Sequence, residues 1–284
     1  MQPPYPSFTA TWHNDTYPAI DPTRTELSQA GKTVIITGAG SGTGRQTTIA
    51  FAAAGAKHLV LIGRTESDLV ESQNLIPAPT TSTIFACSVV DEKAIQNAAG
   101  KIGNWDVLIM GAGHEPSPAK IVDQKLVDFW TAYEVNVKSI VIAAQALFPH
   151  ANENASVFAI TSGAMALPPA YTPNLSGSMG SKVAQIKLME FLAAENPDKF
   201  ICSVHPGIHD TKMFRRSAAD ASQLPMDTLE LHAHFMVWLA TPKNKFLQGR
   251  VVFANWDVDE LSARAEEITT STVLTIGYSG WPFA

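Results

Sequence analysis

Cysteine is scarce in this chain, with 2 residues in a sequence of 284. Cys87 and Cys202 both stand in short apolar runs, which is typical of buried free thiols rather than of a disulfide. A chain of this length buries enough apolar surface to fold without a disulfide or a metal. The cysteine content therefore disfavours a disulfide-stapled secreted domain, and we expect a cytoplasmic protein.

Long apolar runs and basic clusters are also missing. The best membrane candidate, Ile140–Phe148, is shorter than the roughly 18 residues that a span requires and contains Gln145. Residues 1–15 are polar, contain prolines and lack the apolar centre of a secretory signal. The net charge is -6, and no cluster of lysine and arginine matches a phosphate backbone. We predict no membrane span and no nucleic-acid partner.

Metal-site and hydrolase patterns are absent as well. His205 and His209 are separated by Pro206-Gly207, which prevents them from sharing one helical face. Ser162 does not stand in a Gly-x-Ser-x-Gly elbow, which disfavours a hydrolase triad. The sequence therefore predicts no metal and no serine hydrolase.

The chain does contain a regular alternation of short apolar segments and helical segments, beginning at Lys32. Segments such as Val34–Ile36 and Val107–Ile109 are apolar on both faces, as strands covered by helices on both sides must be. Strands that alternate with helices imply right-handed crossovers and a parallel sheet. The sequence predicts a single α/β domain, a doubly wound parallel sheet of the Rossmann type, over residues 31–256.

The two ends of the chain flank this domain. Residues 1–30 lack periodicity and are rich in proline, which indicates an irregular arm lying over the domain or a disordered one. Residues 257–284 are predicted to form a C-terminal helix and a tail. The aromatic residues of that tail, Tyr278, Trp281 and Phe283, are expected to dock against the domain or a partner subunit.

A glycine-rich loop follows the first predicted strand and opens directly into a helix. Gly38 permits a tight turn, Gly42 lets the backbone approach a pyrophosphate, and Gly44 lets the helix pack against the strand. The helix start, with Ser41 and Thr43, offers free amides and a positive dipole to phosphate oxygens. This placement between a strand and a helix predicts a dinucleotide site.

The end of the second strand indicates which dinucleotide binds. A site specific for NAD usually carries an acid there, but this chain has Gly63 followed by Arg64. Gly63 leaves room, and Arg64 has the forked geometry that binds a 2′-phosphate, with Arg45 as a possible helper. We predict NADP(H) as the cofactor; the alternative is that Arg64 is a solvated loop charge.

Several motifs between about Lys32 and Asn255 resemble, in their order along the chain, those of the short-chain dehydrogenase/reductase family. The resemblance rests on Thr37–Gly44, Met110–Gly113, Tyr133–Val137, Ile160–Gly163 and His205–Gly207 with Thr211. Besides the glycine loop and Arg64, it implies cofactor contacts from Ser88, Gly111, Ala112, Gly113, Lys182, Pro206, Gly207, Ile208 and Thr211. It also implies a substrate lid near residues 208–226, and a homodimer or homotetramer formed through the two helices that hold Asn136 and Lys182.

The resemblance assigns catalytic roles to three residues and breaks at a fourth. It implies that Asn136 holds a relay water, that Ser162 binds the substrate oxygen and that Lys182 fixes the nicotinamide ribose. The family's catalytic tyrosine precedes this lysine in a Tyr-x-x-x-Lys motif, and its position holds Ser178. A serine hydroxyl is much less acidic than a phenol, and losing a positioned general acid typically costs about 10²- to 10⁴-fold in rate.

Two nearby loops contain other polar residues. The loop between Ser162 and Ser178 is longer than usual in the family and contains Tyr171, which is either a replacement acid, a pocket wall or a surface aromatic. Glu115, just past Gly113, is within reach of the pocket mouth and is interpreted as a solvated loop acid.

Three functional hypotheses follow. The leading one is an NADP(H)-binding oxidoreductase for a small, fairly apolar carbonyl or alcohol, in which the cofactor supplies the hydride. The second is an isomerase, dehydratase or cyclase that keeps the nucleotide as a scaffold. The third is a non-catalytic NADP-binding or partner-binding protein.

Overall fold

The computed structural model describes residues 2–277, so the aromatic residues Tyr278, Trp281 and Phe283 lie outside the described part of the chain. Within residues 2–277, seven parallel strands form one sheet in the order β3-β2-β1-β4-β5-β6-β7. They are β1 (Thr33–Thr37), β2 (His58–Gly63), β3 (Thr81–Ala86), β4 (Trp105–Met110), β5 (Ala151–Ile160), β6 (Phe200–His205) and β7 (Val251–Phe253). The predicted single-domain, doubly wound parallel fold is confirmed.

Helices cover both faces of this sheet. They are α1 (Gly42–Ala53), α2 (Glu66–Asn74), α3 (Glu92–Ile102), α4 (Leu126–Tyr133), α5 (Ser139–Leu147), α6 (Ser176–Glu195), α7 (Lys212–Arg216), α8 (Leu229–Leu239), α9 (Val258–Ala263) and α10 (Ala265–Thr270). A π-helical turn, Glu134–Lys138, joins α4 to α5. Among the described residues, no helix has the length and apolar character that crossing a membrane requires.

The strands send alternate side chains into two separate cores. Ile36 of β1 lies in the core shared with Phe51 of α1 and Trp238 of α8. Its neighbour Ile35 lies in the opposite core, together with Met189 of α6. Each strand therefore contributes apolar side chains to both faces, which explains why the strand segments are apolar without alternation.

The strand order reverses between β1 and β4. The chain runs outward from β1 to β3 and then returns to β4 on the other side of β1. In open α/β sheets, ligands bind beyond the carboxyl ends of the strands at such a switch point. The loops after β1 and β4, which carry the glycine motif and Gly111–Gly113, meet there.

The N-terminal arm packs against the C-terminal elements. Trp12 forms an antiparallel bridge with Trp256, and the amides of Ala10 and Thr11 donate to the Glu260 carboxylate at 2.6 and 3.1 Å. The backbone amide of His13 donates to the Asn255 carbonyl at 2.8 Å. The arm is irregular except for two short 3-10 turns. These contacts hold it beside β7.

Candidate active site

The glycine loop is packed too tightly for side chains. Gly38 has φ +74°, and a Cβ there would lie 2.9 Å from the backbone of both Gly111 and Ala112. A Cβ on Gly44 would overlap the carbonyl group of Gly38. Gly42 has φ +51° and faces Thr211, whose Cγ2 is 3.1 Å from the position of a Cβ. The loop therefore presents bare backbone at the start of α1, next to the loops after β4 and β6.

Two arginines near this loop have different environments. Arg45 donates to the Gly40 carbonyl at 2.6 Å, to Glu71 at 2.8 Å and to Ser72 at 3.0 Å, so it ties the glycine loop to α2. This guanidinium is therefore engaged in holding the loop, which disfavours the suggested helper role. Arg64 is exposed beyond the end of β2 and makes no hydrogen bond or ion pair with the described residues.

The loops after β3 and β4 border the same edge of the sheet. The Ser88 carbonyl accepts the Asp91 amide at 3.1 Å just beyond β3, close to the start of α3. A Cβ on Gly111 would lie 2.8 Å from the Thr37 carbonyl, and one on Gly113 would lie 3.2 Å from Cε of Met213. Met213 belongs to α7, inside the predicted lid, so α7 lies against the loop that follows β4.

The turn after β6 is held by an aspartate that the sequence did not single out. Asp227 accepts the amide of Ile208 at 2.7 Å and, at its other oxygen, the side-chain amides of Asn14 and Asn255 at 2.7 and 2.9 Å. Gly207 has φ +98°, and a Cβ there would lie 2.5 Å from Asp227 Oδ2. Pro206, Gly207 and Ile208 therefore form a turn whose shape is fixed by Asp227. Thr211 follows it and caps α7, accepting the Phe214 amide at 3.2 Å.

Asn136 lies in the π-helical turn and is fully buried. Its Oδ1 accepts the His114 amide at 2.9 Å, and its Nδ2 donates to the His114 carbonyl at 3.0 Å and to Ser181 Oγ at 2.9 Å. The π-turn is a local irregularity of the kind often found at functional sites. The Asn136 amide therefore joins the loop after β4 to α6.

Lys182 of α6 points toward the end of β5. Its Nζ donates to the Ile160 carbonyl at 2.7 Å and to Gln185 Oε1 at 3.1 Å. Burial lowers the pKa of Lys182 to about 8, and the nearby Glu115 charge partly opposes this shift. Ser162 follows the same strand, and its Oγ accepts the Ala164 amide at 3.3 Å, which leaves its hydroxyl proton available to a ligand.

Ser178 is buried and paired with Glu115. The Ser178 hydroxyl donates to Glu115 Oε2 at 2.5 Å, and the Glu115 carbonyl accepts Nε of Arg216 at 3.1 Å. Burial raises the pKa of the Glu115 carboxyl above its ordinary value, although Ser178, Lys182, His114 and Arg216 act in the opposite direction. The interpretation of Glu115 as a solvated loop acid is wrong, because its carboxyl is enclosed against α6.

Tyr171 lies apart from these residues. It ends a short 3-10 turn in the loop between Ser162 and Ser178, and its side chain is 75% exposed. Its hydroxyl has no hydrogen-bond partner within residues 2–277. The structure therefore supports the surface aromatic among the three roles considered for it. In the described part of the chain, no group of histidine, cysteine and carboxylate side chains is arranged to hold a metal ion.

A loop of bare backbone at the switch point of a parallel sheet is typical of nucleotide-binding proteins of the Rossmann type. The chain belongs to the short-chain dehydrogenase family, described as "short chain dehydrogenase", whose pattern matches residues 32–222. It is therefore a short-chain dehydrogenase/reductase-like enzyme. Members of this family act on small molecules and commonly form oligomers.

Relatives and solved structures agree with this assignment. The chain is 32% identical over 290 residues to the short chain dehydrogenase mpl6 of Monascus purpureus, covering 95% of this chain and 97% of the relative. A short chain dehydrogenase structure from Pseudomonas syringae superposes with a TM-score of 0.75 at 25% identity, covering 82% of this chain and 97% of the other. A short chain dehydrogenase from Burkholderia cenocepacia, in complex with NADP, shares the fold with a TM-score of 0.71 at 22% identity, covering 79% and 96%.

Proposed function

We propose that the chain is an NADP(H)-dependent oxidoreductase that interconverts a small apolar carbonyl compound and its alcohol. The proposal rests on the residues found at the end of β2. Arg64 follows Gly63 there, exposed and without a partner among the described residues, at the position where an NAD site usually has an acid. A free guanidinium in this place fits the additional phosphate of NADP.

The surrounding backbone fits a dinucleotide. Side chains at Gly38 or Gly44 would collide with neighbouring backbone, so the close packing of this loop against the start of α1 and the loop after β4 depends on the absence of a Cβ at both positions. Pyrophosphate would be held by Ser41, Gly42 and Thr43 at the start of α1. The remaining cofactor contacts would come from Ser88, Gly111, Ala112, Gly113, Lys182, Pro206, Gly207, Ile208 and Thr211. When bound, the nicotinamide supplies or accepts the hydride.

The residues around the glycine loop then bind and orient the substrate. The Ser162 hydroxyl donates a hydrogen bond to the substrate oxygen, and Lys182 binds the ribose hydroxyls of the cofactor. Asn136 keeps the loop after β4 attached to α6 through His114 and Ser181. Met213, which is 41% exposed and lies against Gly113, gives the pocket mouth an apolar and adaptable wall.

Exposed apolar side chains on three helices support a homodimer or homotetramer. They belong to α4, α5 and α6 and are exposed in the single chain: Leu126, Val127, Trp130, Val141, Val183 and Phe191. Trp130 is 54% exposed, and tryptophan is a frequent anchor of protein interfaces. We expect Trp130→Glu to give a smaller species by light scattering. Leu75→Glu, a matched change at an exposed residue that follows α2, should leave the mass unchanged.

The cofactor assignment is tested by titrating the protein with NADPH and with NADH, followed by calorimetry. NADPH should bind more tightly, and Arg64→Gln should remove most of this preference, about 10-fold or more for a lost charge-assisted phosphate contact. Lys101→Gln, at an exposed lysine near the end of α3, is the matched control. Equal affinity for the two nucleotides, or no binding of either, would overturn the proposal.

A redox-neutral isomerase or dehydratase is the second candidate, and the pairing of Ser178 with Glu115 favours it. A buried carboxyl moves protons without needing a hydride. The two functions are distinguished by measuring the absorbance of the nicotinamide, which changes during turnover only in the oxidoreductase.

A further inference from the structure

Glu115 comes to the side of α6 where the family tyrosine is missing. Ser178 is 2% exposed and has a hydroxyl too short to reach far into the pocket. Its hydroxyl donates a 2.5 Å hydrogen bond to Glu115 Oε2. A carboxyl from the loop after β4 therefore stands beside Ser178 and close enough to Lys182 for their charges to interact.

One oxygen of this carboxyl is left without a partner. Glu115 Oε1 is buried and makes no hydrogen bond within residues 2–277. An ionised carboxylate with an unpaired buried oxygen is costly, whereas a protonated carboxyl or a bound ligand removes that cost. Oε1 is thus the carboxyl oxygen that is not engaged in a hydrogen bond with the described residues.

The charges around Glu115 come from four elements. Lys182 on α6, His114 on its own loop and Arg216 on α7 stabilise the carboxylate, whereas burial stabilises the protonated acid and is the largest effect. Asp128 of α4 accepts His114 Nε2 at 2.7 Å and lies 3.8 Å from Arg216, which offsets part of their positive charge. The net effect is a carboxyl whose pKa is raised above its ordinary value, because burial outweighs the favourable charges around it.

We propose that Glu115 is the proton donor that takes the place of the absent tyrosine, with Ser178 as the positioning residue that holds its carboxyl. This inference rests on the proposed oxidoreductase function. In the reducing direction, the carbonyl carbon receives a hydride and the carbonyl oxygen takes the proton of Glu115. The π-bond pair of the carbonyl becomes the O–H bond, NADPH is oxidised to NADP⁺, and Glu115 is left as a carboxylate that regains its proton from water.

The other available groups fit this role less well. Tyr171 is 75% exposed and has no hydrogen bond to any of these residues. Lys182 already donates to the Ile160 carbonyl and to Gln185, which hold its ammonium against the strand end. Ser178 donates its proton to Glu115 and is far less acidic than a carboxyl.

The experiment compares wild type with Glu115→Gln, Glu115→Asp and Ser178→Ala. Glu153→Gln, an exposed glutamate near the start of β5, is the matched control. NADPH affinity is measured by calorimetry, and NADPH-dependent reduction is measured with phenanthrenequinone and a panel of aromatic aldehydes. The infrared band of the protonated carboxyl is recorded as a function of pH in the ligand-free protein, so that one readout is independent of turnover.

We expect Glu115→Gln to bind NADPH normally, to lose about 10²- to 10⁴-fold in kcat, and to lose the infrared band. Glu115→Asp, which keeps a carboxyl, should retain more activity than Glu115→Gln. Reduction requires the protonated form, so the wild-type rate should fall as the pH rises through the Glu115 pKa. Because the Ser178 hydrogen bond lowers that pKa, Ser178→Ala should move the fall to higher pH.

The outcomes separate the two proposals. Failure to bind NADPH, or binding without any reduction, overturns the oxidoreductase function itself. Reduction by wild type with an undiminished kcat in Glu115→Gln overturns the role of Glu115 alone. The role of Glu115 is also overturned if the wild-type infrared spectrum lacks the protonated carboxyl band, or if the band persists in Glu115→Gln.

Discussion

Asp227 holds Ile208 with both its side chain and its main chain. The Asp227 carboxylate accepts the Ile208 amide at 2.7 Å, and the Asp227 amide donates to the Ile208 carbonyl, also at 2.7 Å. The turn after β6 is thereby clamped to the segment that precedes α8. We regard this clamp as the structural support of this turn, whose residues are proposed to contact the cofactor.

Removing the clamp should weaken both stability and cofactor binding. Asp227→Ala leaves the amides of Ile208, Asn14 and Asn255 without their acceptor, which costs about 1–3 kcal/mol of unfolding free energy. NADPH affinity, measured by calorimetry, should fall about 10-fold because the turn is no longer fixed. Asp220→Ala, at an exposed aspartate that caps a short turn, is the control. Equal affinities for NADPH in the two variants would contradict the role of the clamp.

Replacing glycine by alanine should have opposite effects on stability at two positions, one in the glycine loop and one outside it. A Cβ in Gly44→Ala meets the Gly38 carbonyl, and the resulting overpacking should cost about 1–3 kcal/mol. Gly100 lies inside α3 with open space around its Cβ position, so Gly100→Ala should stabilise by about 0.5–1 kcal/mol. Urea denaturation measures both. A neutral Gly44→Ala would show that α1 packs less closely against β1 than described.

Burial of His205 predicts a loss of stability in acid. Burial lowers its pKa from 6.5 to about 3, so the unfolded chain binds a proton that the folded protein excludes. The stabilisation is complete above pH 6.5 and is lost as the pH falls toward about 3, by up to about 1.4 kcal/mol per pH unit. Buried His232, whose pKa is lowered in the same direction, adds to the effect.

Thermal melts across this pH range test the assignment. His205→Phe, next to the ring of Phe253, should flatten the acid dependence of Tm. His150→Phe, at a partly exposed histidine, should leave the slope unchanged. An unaltered slope in His205→Phe would exclude His205 as a source of acid instability.

A tyrosine placed at position 178 should support reduction only if Glu115 is removed as well. In Ser178→Tyr the phenol must compete with the Glu115 carboxyl, which lies 2.5 Å from the buried Ser178 hydroxyl. We expect the single variant to lose about 1–3 kcal/mol of stability to overpacking. The double variant Glu115→Ala/Ser178→Tyr should recover stability and NADPH-dependent reduction of aromatic aldehydes. Better activity in the single than in the double variant would show that the two side chains do not share one space.

The sequence predicted the sheet well because its signals are local. Strands such as Val34–Ile36 are apolar on both faces, and the glycine loop has a fixed place between β1 and α1. The relation between Ser178 and Glu115 has no such signal, because 63 positions separate them and a single acid in a polar loop forms no pattern. The one available hint was that Glu115 closely follows a strand end, where functional loops gather. The assigned cofactor and catalytic residues stay predictions.

The contacts between the arm and the end of the chain have a consequence for folding order. His13 and Asn14 bind Asn255 and Asp227, so the clamp on Ile208 is complete only when partners more than 200 positions apart have met. Contacts of such sequence separation form late, because the loop that they close is entropically costly. During synthesis the N-terminal arm therefore emerges long before its docking surface exists. Cofactor affinity should appear as one of the last properties acquired by the folding chain.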